Sequence, residues 1–383
     1  MANLPKVTVL YANGNLLKDI DNLDGIAGIV GTGTSSGLLG VPKIVYSLDD
    51  AVTQGFSESA EPSMYRHLKE FYGEVGGSQE LHIMIVADTM TMAQMLDDTN
   101  ASGAKKLLIN AQGRVRLLGV YRKPAGGYSG GADFIDSDVS TALTSSKTFG
   151  QARLAELAPI RMVIEGRVQN AAAANTLTPK TSSNGFAGVL LGGTLNDGSA
   201  SVGLLLGRAV KYPANIKIGK VANGALSATQ IYIGDKLLKN VTNLDTLHGA
   251  GFISFMNHPQ KSGFYFGIDR MASTDDYRLL AYGRVVDKAA IIAVAVYVED
   301  LESEIDIEAD GTINPIDLSS LELKIDQQIN VNMGSQISSL IVYINPSQNV
   351  INTSKLALKL RVMPKGYLSF IDIDLGLVAP VVS

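Results

Sequence analysis

An alternation of short apolar segments with helix-like segments is the feature that most restricts the fold of this chain. Strand-like segments lie near Ile26 and at 42–47, 80–86, 114–121 and 160–168, and helix-like segments lie at 49–55, 61–72, 90–98 and 136–157. Strands that alternate with helices pack as a sheet covered by helices. A new pattern of strands and helices begins near Phe264. The sequence therefore predicts a multi-domain chain of mixed α+β and α/β class.

Composition excludes several classes of function. The chain has 383 residues, and 46% of them are hydrophobic, which is enough for an extensive core. Its formal net charge of -5 has the wrong sign for a protein whose main partner is nucleic-acid phosphate. The absence of cysteine excludes disulfides, thiol catalysis and cysteine-ligated zinc, and it suits assembly in a reducing cytoplasm.

The chain shows no pattern for export or membrane insertion. Its first residues, "MANLPKVTVL", lack the charged start, apolar centre and cleavage site of a signal peptide. The longest apolar run, at 289–298, is half the length of about 20 residues that crosses a bilayer. We expect this run to form a buried helix.

Both ends of the chain have the alternating pattern of amphipathic strands. The segments are 6–11 at the N-terminus and 367–377 at the C-terminus, and 355–363 alternates in the same way. Asp372 and Asp374 lie on the polar face of the C-terminal segment. The residues of the two apolar faces are Val7, Val9, Tyr11, Ile371, Ile373 and Leu375.

The region that begins near Phe264 predicts two helices. The segment "YRLLAYGRVV" at 277–286 reads as a strand, and 285–301 reads as a buried helix. A second helix is predicted at 319–330, because Ser319 and Glu322 have the spacing of a capping box.

Two glycine-rich loops match the G-x-S-x-G motif of serine hydrolases. The candidate nucleophiles are Ser35 in 33–37 and Ser129 in 127–131. That motif needs a helix directly after the serine, and the glycines and proline that follow Ser35 do not favour one. The first loop also lacks the glycine spacing of a dinucleotide site and the Gly-Lys-Ser/Thr of a P-loop. The four scattered histidines are His67, His82, His248 and His258. A plain loop is the favoured interpretation, with a serine hydrolase as the alternative.

The segment "DIEADGTINPID" resembles a calcium-binding loop. The candidate ligands and loop positions are Asp306, Glu308, Asp310, Gly311, Ile313 and Asp317. Against calcium, the last ligand is Asp rather than Glu, and Pro315 lies inside the loop. A strand that enters an Asp-Gly turn is favoured, and a calcium-binding or adhesive module stays as the alternative.

Other charged residues near apolar segments are better explained by structure than by catalysis. Asp269, Arg270, Asp287 and Lys288 predict ion pairs at a strand–helix junction or a subunit interface. The acidic run at 299–304 predicts a solvated face.

Three blocks of the sequence resemble contractile tail sheath proteins. The first is "DGIAGIVGTGTSSGLLGVPKIVYSLDDAVTQGF" with "MYRHLKEFYGEVGGSQELHIMIV", in which Tyr72 and the glycine pair at 76–77 fall where the sheath pattern places them. The second is "GFYFGIDRMASTDDYRLLAYGRVVDKAAIIAVAVYVEDL", similar to the inner sheath domain, in which an Arg-Val-x-Asp-Lys segment opens a long helix. The third, "SASVGLLLGRAVKYPANIKIGKV", looks like a segment of compact sheath-like proteins of phages and prophages.

The resemblance implies a structural subunit, not an enzyme, with no cofactor and no metal. Sheath subunits form hexameric rings that stack around an inner tube, and contraction drives the tube through a cell envelope. Terminal arms add strands to the sheets of neighbouring subunits. The six apolar-face residues named above would form those strands. Arg284, Asp287 and Lys288 would form the junction of the inner domain.

The resemblance also implies partners, a location and a division into domains. The partners would be other copies of the chain, the tail tube protein, and baseplate and tail terminator proteins. Neither nucleic acid nor membrane is among them. The particle would be a virion tail, a tailocin or another injection machine assembled in the bacterial cytoplasm. The predicted parts are an N-terminal arm at 1–20, an outer α/β region at 21–262 inserted between terminal segments, an inner core at 263–366 and a C-terminal arm at 367–383.

Overall fold

A computed structural model describes residues 25–377 of the chain. The predicted N-terminal strand, with Val7, Val9 and Tyr11, lies outside the described residues, and so do residues 378–383. What the sequence predicts for these segments stays a prediction.

A six-stranded sheet forms the centre of the first part of the described chain. Its strands are β1 (Ala27–Gly33), β2 (Lys43–Val45), β3 (Leu81–Ala87), β4 (Leu117–Tyr121), β5 (Arg161–Gly166) and β6 (Ala187–Leu191). They lie in the order β2-β3-β1-β4-β5-β6, and all are parallel except β2. The parallel strands are buried along almost their whole length, as expected when helices cover both faces of a sheet.

Helices cover both faces of this sheet. They are α1 (Leu48–Thr53), α2 (Pro62–Val75), α3 (Met92–Met95), α4 (Ala104–Asn110), α5 (Ser137–Ala155), α6 (Val202–Val210) and α7 (Leu244–Ala250). Helices α2 and α6 pack closely at Gly207, which has no side chain to keep them apart. A Cβ there would lie only 2.6 Å from the carbonyl oxygen of Phe71. Two short ribbons, β7 (Tyr232–Ile233) with β8 (Lys236–Leu237) and β9 (Phe255–Met256) with β10 (Tyr265–Phe266), complete this part.

A second, smaller hydrophobic core lies in the C-terminal part. It is formed by α8 (Leu280–Tyr297), α9 (Pro315–Met333) and the hairpin of β11 (Ile337–Ile344) and β12 (Leu358–Pro364), which α10 (Val350–Thr353) interrupts. Its central side chains on the two helices are Val285, Ala289, Ile292, Val296, Ile325, Ile329 and Met333. Their spacing of three and four residues places them on one stripe of each helix. Among residues 25–377, no helix is both long enough and apolar enough to span a membrane.

One predicted element is wrong, and a second one, the helix at 319–330, is present but begins earlier than predicted. The strand predicted at 277–286 is wrong, because α8 begins at Leu280 and Val285 already belongs to the apolar stripe that this helix turns toward the second core. Helix α9 begins at Pro315 and not near Ser319, and its N-cap is Asn314, whose side chain accepts the Ile316 N–H at 2.8 Å. Glu322 is not part of a capping box, because its carboxylate accepts the Ile344 N–H of β11 at 2.8 Å.

The first hydrophobic core extends past residue 263, the predicted start of the inner domain. Phe266, Met271, Ala272 and Leu280 all belong to it. Helix α8 therefore contributes to both cores, with Leu280 in the first and Val285 in the second. The division into outer and inner domains stays a prediction.

Candidate assembly surfaces

The β11–β12 hairpin has one buried face and one exposed face. Leu340, Val342, Leu360 and Val362 pack against the second core. The opposite face is solvent-exposed and carries Ser339, Ile341, Tyr343, Lys359, Arg361 and Met363. Among the described residues this sheet has only two strands, so β11 and β12 each keep one unpaired edge. Unpaired edges of this kind invite the addition of another strand.

The C-terminal segment at 368–377 is unusually apolar for an exposed segment. Its exposed side chains are Leu368 (88%), Phe370 (80%), Ile371 (72%), Ile373 (82%), Leu375 (91%) and Leu377 (104%). The segment has no strand partner within the described part of its own chain. Such a concentration of exposed apolar groups marks an interaction surface. That Ile371, Ile373 and Leu375 lie in a strand between subunits stays a prediction.

Tyr367 fixes the point at which this segment leaves the body of the chain. Its hydroxyl donates to the Asn215 carbonyl at 2.6 Å, and its ring stacks on Tyr282 with 5.5 Å between ring centres. The Lys217 Nζ lies 5.3 Å from the Tyr367 ring and 3.3 Å from Ser369 Oγ. Burial raises the pKa of the Tyr367 hydroxyl. The described residues beyond Ser369 are exposed.

The start of α8 is joined to the sheet by a buried ion pair. Arg161 on β5 donates from Nε and Nη2 to the two oxygens of Asp287, at 2.7 and 2.6 Å. Both side chains are at most 8% exposed. Gly283 makes room for this contact, because a Cβ there would lie 2.6 Å from Arg161 Nε. Burial lowers the pKa of Arg116 to about 10, and the nearby charge of Asp287 partly opposes that shift.

The other predicted junction residues are also buried on α8. Arg284 is 4% exposed and donates to the Tyr212 carbonyl at 3.3 Å, and Lys288 is 4% exposed. Asp269 lies 3.3 Å from Lys217, and burial raises the pKa of its carboxyl. Sequence reasoning missed Arg161, although an arginine at the start of an otherwise apolar strand was a signal for a buried charge with a partner.

The two glycine-rich loops follow adjacent strands, β1 and β4, at one edge of the sheet. In the first loop the Ser35 N–H donates to Glu61 Oε1 at 2.5 Å, and the Thr34 N–H donates to the same oxygen at 2.9 Å. A Cβ at Gly33 would lie 2.5 Å from Glu61 Oε2, so glycine lets the carboxylate reach the loop. A turn follows Ser35 where the hydrolase motif requires a helix. Among the described residues, neither Ser35 nor Ser129 forms a hydrogen bond with a histidine.

His67 belongs to a buried polar cluster near the same edge. It is fully buried, and its ring lies 4.2 Å from that of Tyr121. Its Nδ1 accepts the Gly203 N–H at 3.3 Å and lies 3.7 Å from Glu70 Oε2. Burial, together with the positive charge of Arg66, lowers the pKa of His67 to about 4. These groups hold α2 against α6, and none reaches a candidate serine.

The segment at 306–317 folds as a turn before α9. The Glu308 N–H donates to the Thr312 carbonyl at 2.8 Å, and Gly311 has a positive φ of 84°. The Asp317 side chain accepts the Asp306 N–H at 2.9 Å. The Asp310 carboxylate accepts from Thr312 and has a lowered pKa for that reason. Within residues 25–377, no group of three or more histidine or acidic side chains is placed to hold a metal ion.

Solved structures of low sequence identity share this fold. The helical sheath of the anti-feeding prophage (AFP) in its contracted state has a TM-score of 0.65 at 14% identity, with 98% of this chain and 99% of that chain covered. The contracted sheath complex of PVC, an extracellular contractile injection system, has a TM-score of 0.62 at 12% identity, with 98% of each chain covered. A sheath tail protein from Listeria innocua has a TM-score of 0.52 at 11% identity, with 89% of this chain and 92% of that chain covered. The predicted resemblance to contractile sheath proteins is confirmed at the level of a mixed α/β fold, and the predicted domain arrangement and terminal arms stay predictions.

A sequence profile identifies the family. No curated protein matches the chain. The profile described as "DUF2586, N-terminal domain" matches residues 4–270, which is well over half of the chain. The protein therefore belongs to the DUF2586 family, and its chain has the fold of contractile sheath proteins.

Proposed function

We propose that the protein is the structural subunit of a contractile sheath that polymerises around an inner tube. One observation carries the proposal. A chain with the sheath fold has a two-stranded sheet whose outer edges are unpaired within the described residues. It also has an exposed apolar segment, 368–377, that pairs with no strand of the described chain. The sheet has a free edge that can accept a strand, and the segment is a strand-like stretch without a sheet. The segment of one copy therefore completes the sheet of another.

Strand addition between copies is the mode of assembly in this proposal. Residues 367–383 form the C-terminal arm, and residues 1–20 form the N-terminal arm. The arms pair with the hairpins of neighbouring copies through main-chain hydrogen bonds, while Ile371, Ile373 and Leu375 extend the buried face of the hairpin. A heterologous contact of this kind repeats from copy to copy and builds rings or a helical filament.

Contraction requires no chemistry in the subunit. The outer region at 21–262 and the inner core at 263–366 move with the lattice, and Arg284, Asp287 and Lys288 hold the junction between them. The arms keep neighbours connected while rings rearrange. The protein acts without catalysis in a tail or injection particle assembled in the bacterial cytoplasm. Its partners are other copies of itself, the tube, and the baseplate and terminator proteins.

Assembly of the full-length chain tests this function. We expect the purified chain to form rings or hollow tubes in negative-stain electron microscopy. The variant Ile371→Ser/Ile373→Ser/Leu375→Ser should be a folded monomer in analytical ultracentrifugation. The control variant Ile109→Ser/Leu154→Ser/Leu157→Ser removes three other exposed apolar side chains, which lie on the sheet domain, and should still assemble. Wild-type chains that stay monomeric at every concentration and with purified tube protein would contradict the proposal.

A further inference from the structure

Two pairs of exposed charges lie on the two surfaces that would meet. Lys359 and Arg361 project from the exposed face of β12, and Asp372 and Asp374 lie on the polar face of the C-terminal segment. None of the four side chains has an ion-pair partner within the described part of the chain. Both pairs have the same spacing of two residues, which is the repeat of side chains along a strand.

Strand addition would bring these charges together. Leu360 and Val362 of β12 point into the second core, and Lys359 and Arg361 point outward. If the arm joins the free edge of β12 with its apolar face toward the core, its two aspartates lie on the same outer face as the two basic side chains. Directly opposed side chains on adjacent strands are about 5 Å apart, within reach of an ion pair. The free edge of β11 has no charged outer side chain to offer.

The arm does not satisfy this edge within its own chain. The chain after Pro364 does not return along β12 as a third strand. Tyr367 is instead held by the Asn215 carbonyl and the Tyr282 ring, and the segment that follows forms no strand with β12. The free edge of β12 is therefore left for the arm of another copy.

Apolar side chains alone do not set the register. Ile371, Ile373 and Leu375 repeat every two residues, and so do Leu358, Leu360 and Val362. A slip of one residue would turn the apolar face outward, but a slip of two residues keeps it inward. The apolar pattern thus allows several registers of similar packing. Two consecutive charge pairs distinguish them, because a slip of two residues leaves only one pair formed.

We propose that Asp372 and Asp374 of one copy pair with Lys359 and Arg361 of a second copy across the free edge of β12, and that these pairs select the register of the arm. The inference rests on the proposed function, because it assigns the partner and alignment of the same arm. The spacing of the charges suits either strand direction. The free edge of β12 thus recognises a strand that carries two carboxylates on one face and apolar side chains on the other.

Charge reversal tests the pairing on the full-length chain. We expect Lys359→Glu/Arg361→Glu to raise the critical concentration for assembly about tenfold or more, because two attractions become two repulsions. Asp372→Lys/Asp374→Lys should have the same effect, and the combined variant should restore assembly. The control Glu302→Lys/Glu304→Lys makes the same change in charge at two exposed residues of equal spacing and should assemble as the wild type does. Unchanged assembly of the single reversals, or failure of the combined variant, would overturn the inference.

The absence of natural cysteine allows a direct measurement of register. We expect disulfide-linked ladders on a non-reducing gel from one matched set of two variants. The set is Arg361→Cys/Asp372→Cys with Lys359→Cys/Asp374→Cys for an antiparallel arm, or Arg361→Cys/Asp374→Cys with Lys359→Cys/Asp372→Cys for a parallel arm. Arg361→Cys/Ile373→Cys places one thiol on the opposite face and should give no ladder. Linking of only one variant of a set, as a slip of two residues would give, or equal linking in every variant or in none, would contradict the proposed register. If wild type and reversed variants all assemble, the register inference fails and the sheath function stands; if the wild type does not assemble, the function itself fails.

Discussion

Arg161 and Asp287 form a bidentate ion pair between residues 126 positions apart in the chain, with donor–acceptor distances of 2.7 and 2.6 Å. The pair joins the first residue of β5 to the N-terminal half of α8. Each partner compensates the desolvation of the other, because both are buried. This contact ties α8, whose apolar side chains form part of the second core, to the sheet of the first core.

Removal of one partner should destabilise the protein strongly. We expect Asp287→Asn to lower the free energy of unfolding by about 3–5 kcal/mol, because the buried Arg161 charge loses its partner. Urea denaturation followed by circular dichroism measures the effect. The double variant Arg161→Met/Asp287→Leu removes both charges and should lose much less. An Asp287→Asn chain as stable as the wild type would show that solvent reaches the pair.

Gly31 on β1 is needed for the packing of Tyr121. A Cβ at Gly31 would overlap the Tyr121 ring, which is buried and donates from its hydroxyl to the Thr32 carbonyl at 3.2 Å. We expect Gly31→Ala to cost about 1–3 kcal/mol of stability through overpacking, as measured by thermal unfolding. Gly37 has open space around it, so Gly37→Ala is the matched control and should leave the melting temperature unchanged. Equal effects of the two substitutions would contradict this assignment.

His67 should make stability fall on acidification. Its pKa is lowered to about 4 in the native state, whereas an unfolded histidine titrates near 6.5. Between these values the unfolded chain binds more protons, so stability rises with pH across the window and is lost as pH falls through it. The loss is about 3 kcal/mol between pH 7 and pH 4. Urea unfolding at several pH values should show a shallower pH dependence for His67→Gln than for the wild type. Equal pH dependence of the two chains would contradict the assignment.

The N-cap of α9 can be tested against the residue that sequence analysis chose. Asn314→Ala should cost about 1 kcal/mol, because the Ile316 N–H loses its acceptor. Ser319→Ala lies on an exposed turn inside the helix and should change stability by no more than a few tenths of a kcal/mol. Urea denaturation of the two variants and the wild type measures both changes in the free energy of unfolding. A larger loss of stability for Ser319→Ala than for Asn314→Ala would support the capping box predicted at Ser319 and Glu322 instead.

Local patterns were sufficient for much of the fold. The strands near Ile26 and at 80–86 were predicted because each is a short apolar run, and the structure has β1 and β3 there, buried on both faces. The helix predicted at 136–157 is α5. The segment at 277–286 was predicted wrongly because ten residues with mixed apolar spacing are consistent with either period. The stripe that decides for a helix runs on to Val296.

The sequence by itself determined the class of the chain, the amphipathic terminal segments and the absence of cysteine chemistry, because these depend on composition and on short periodic patterns. Only the tertiary structure decided that Arg161 meets Asp287, that Asn314 caps α9 and that Tyr367 directs the arm away from β12. Those contacts join residues from separate elements, and no local period encodes which elements meet. The chain encodes them through the packing of its two cores as a whole.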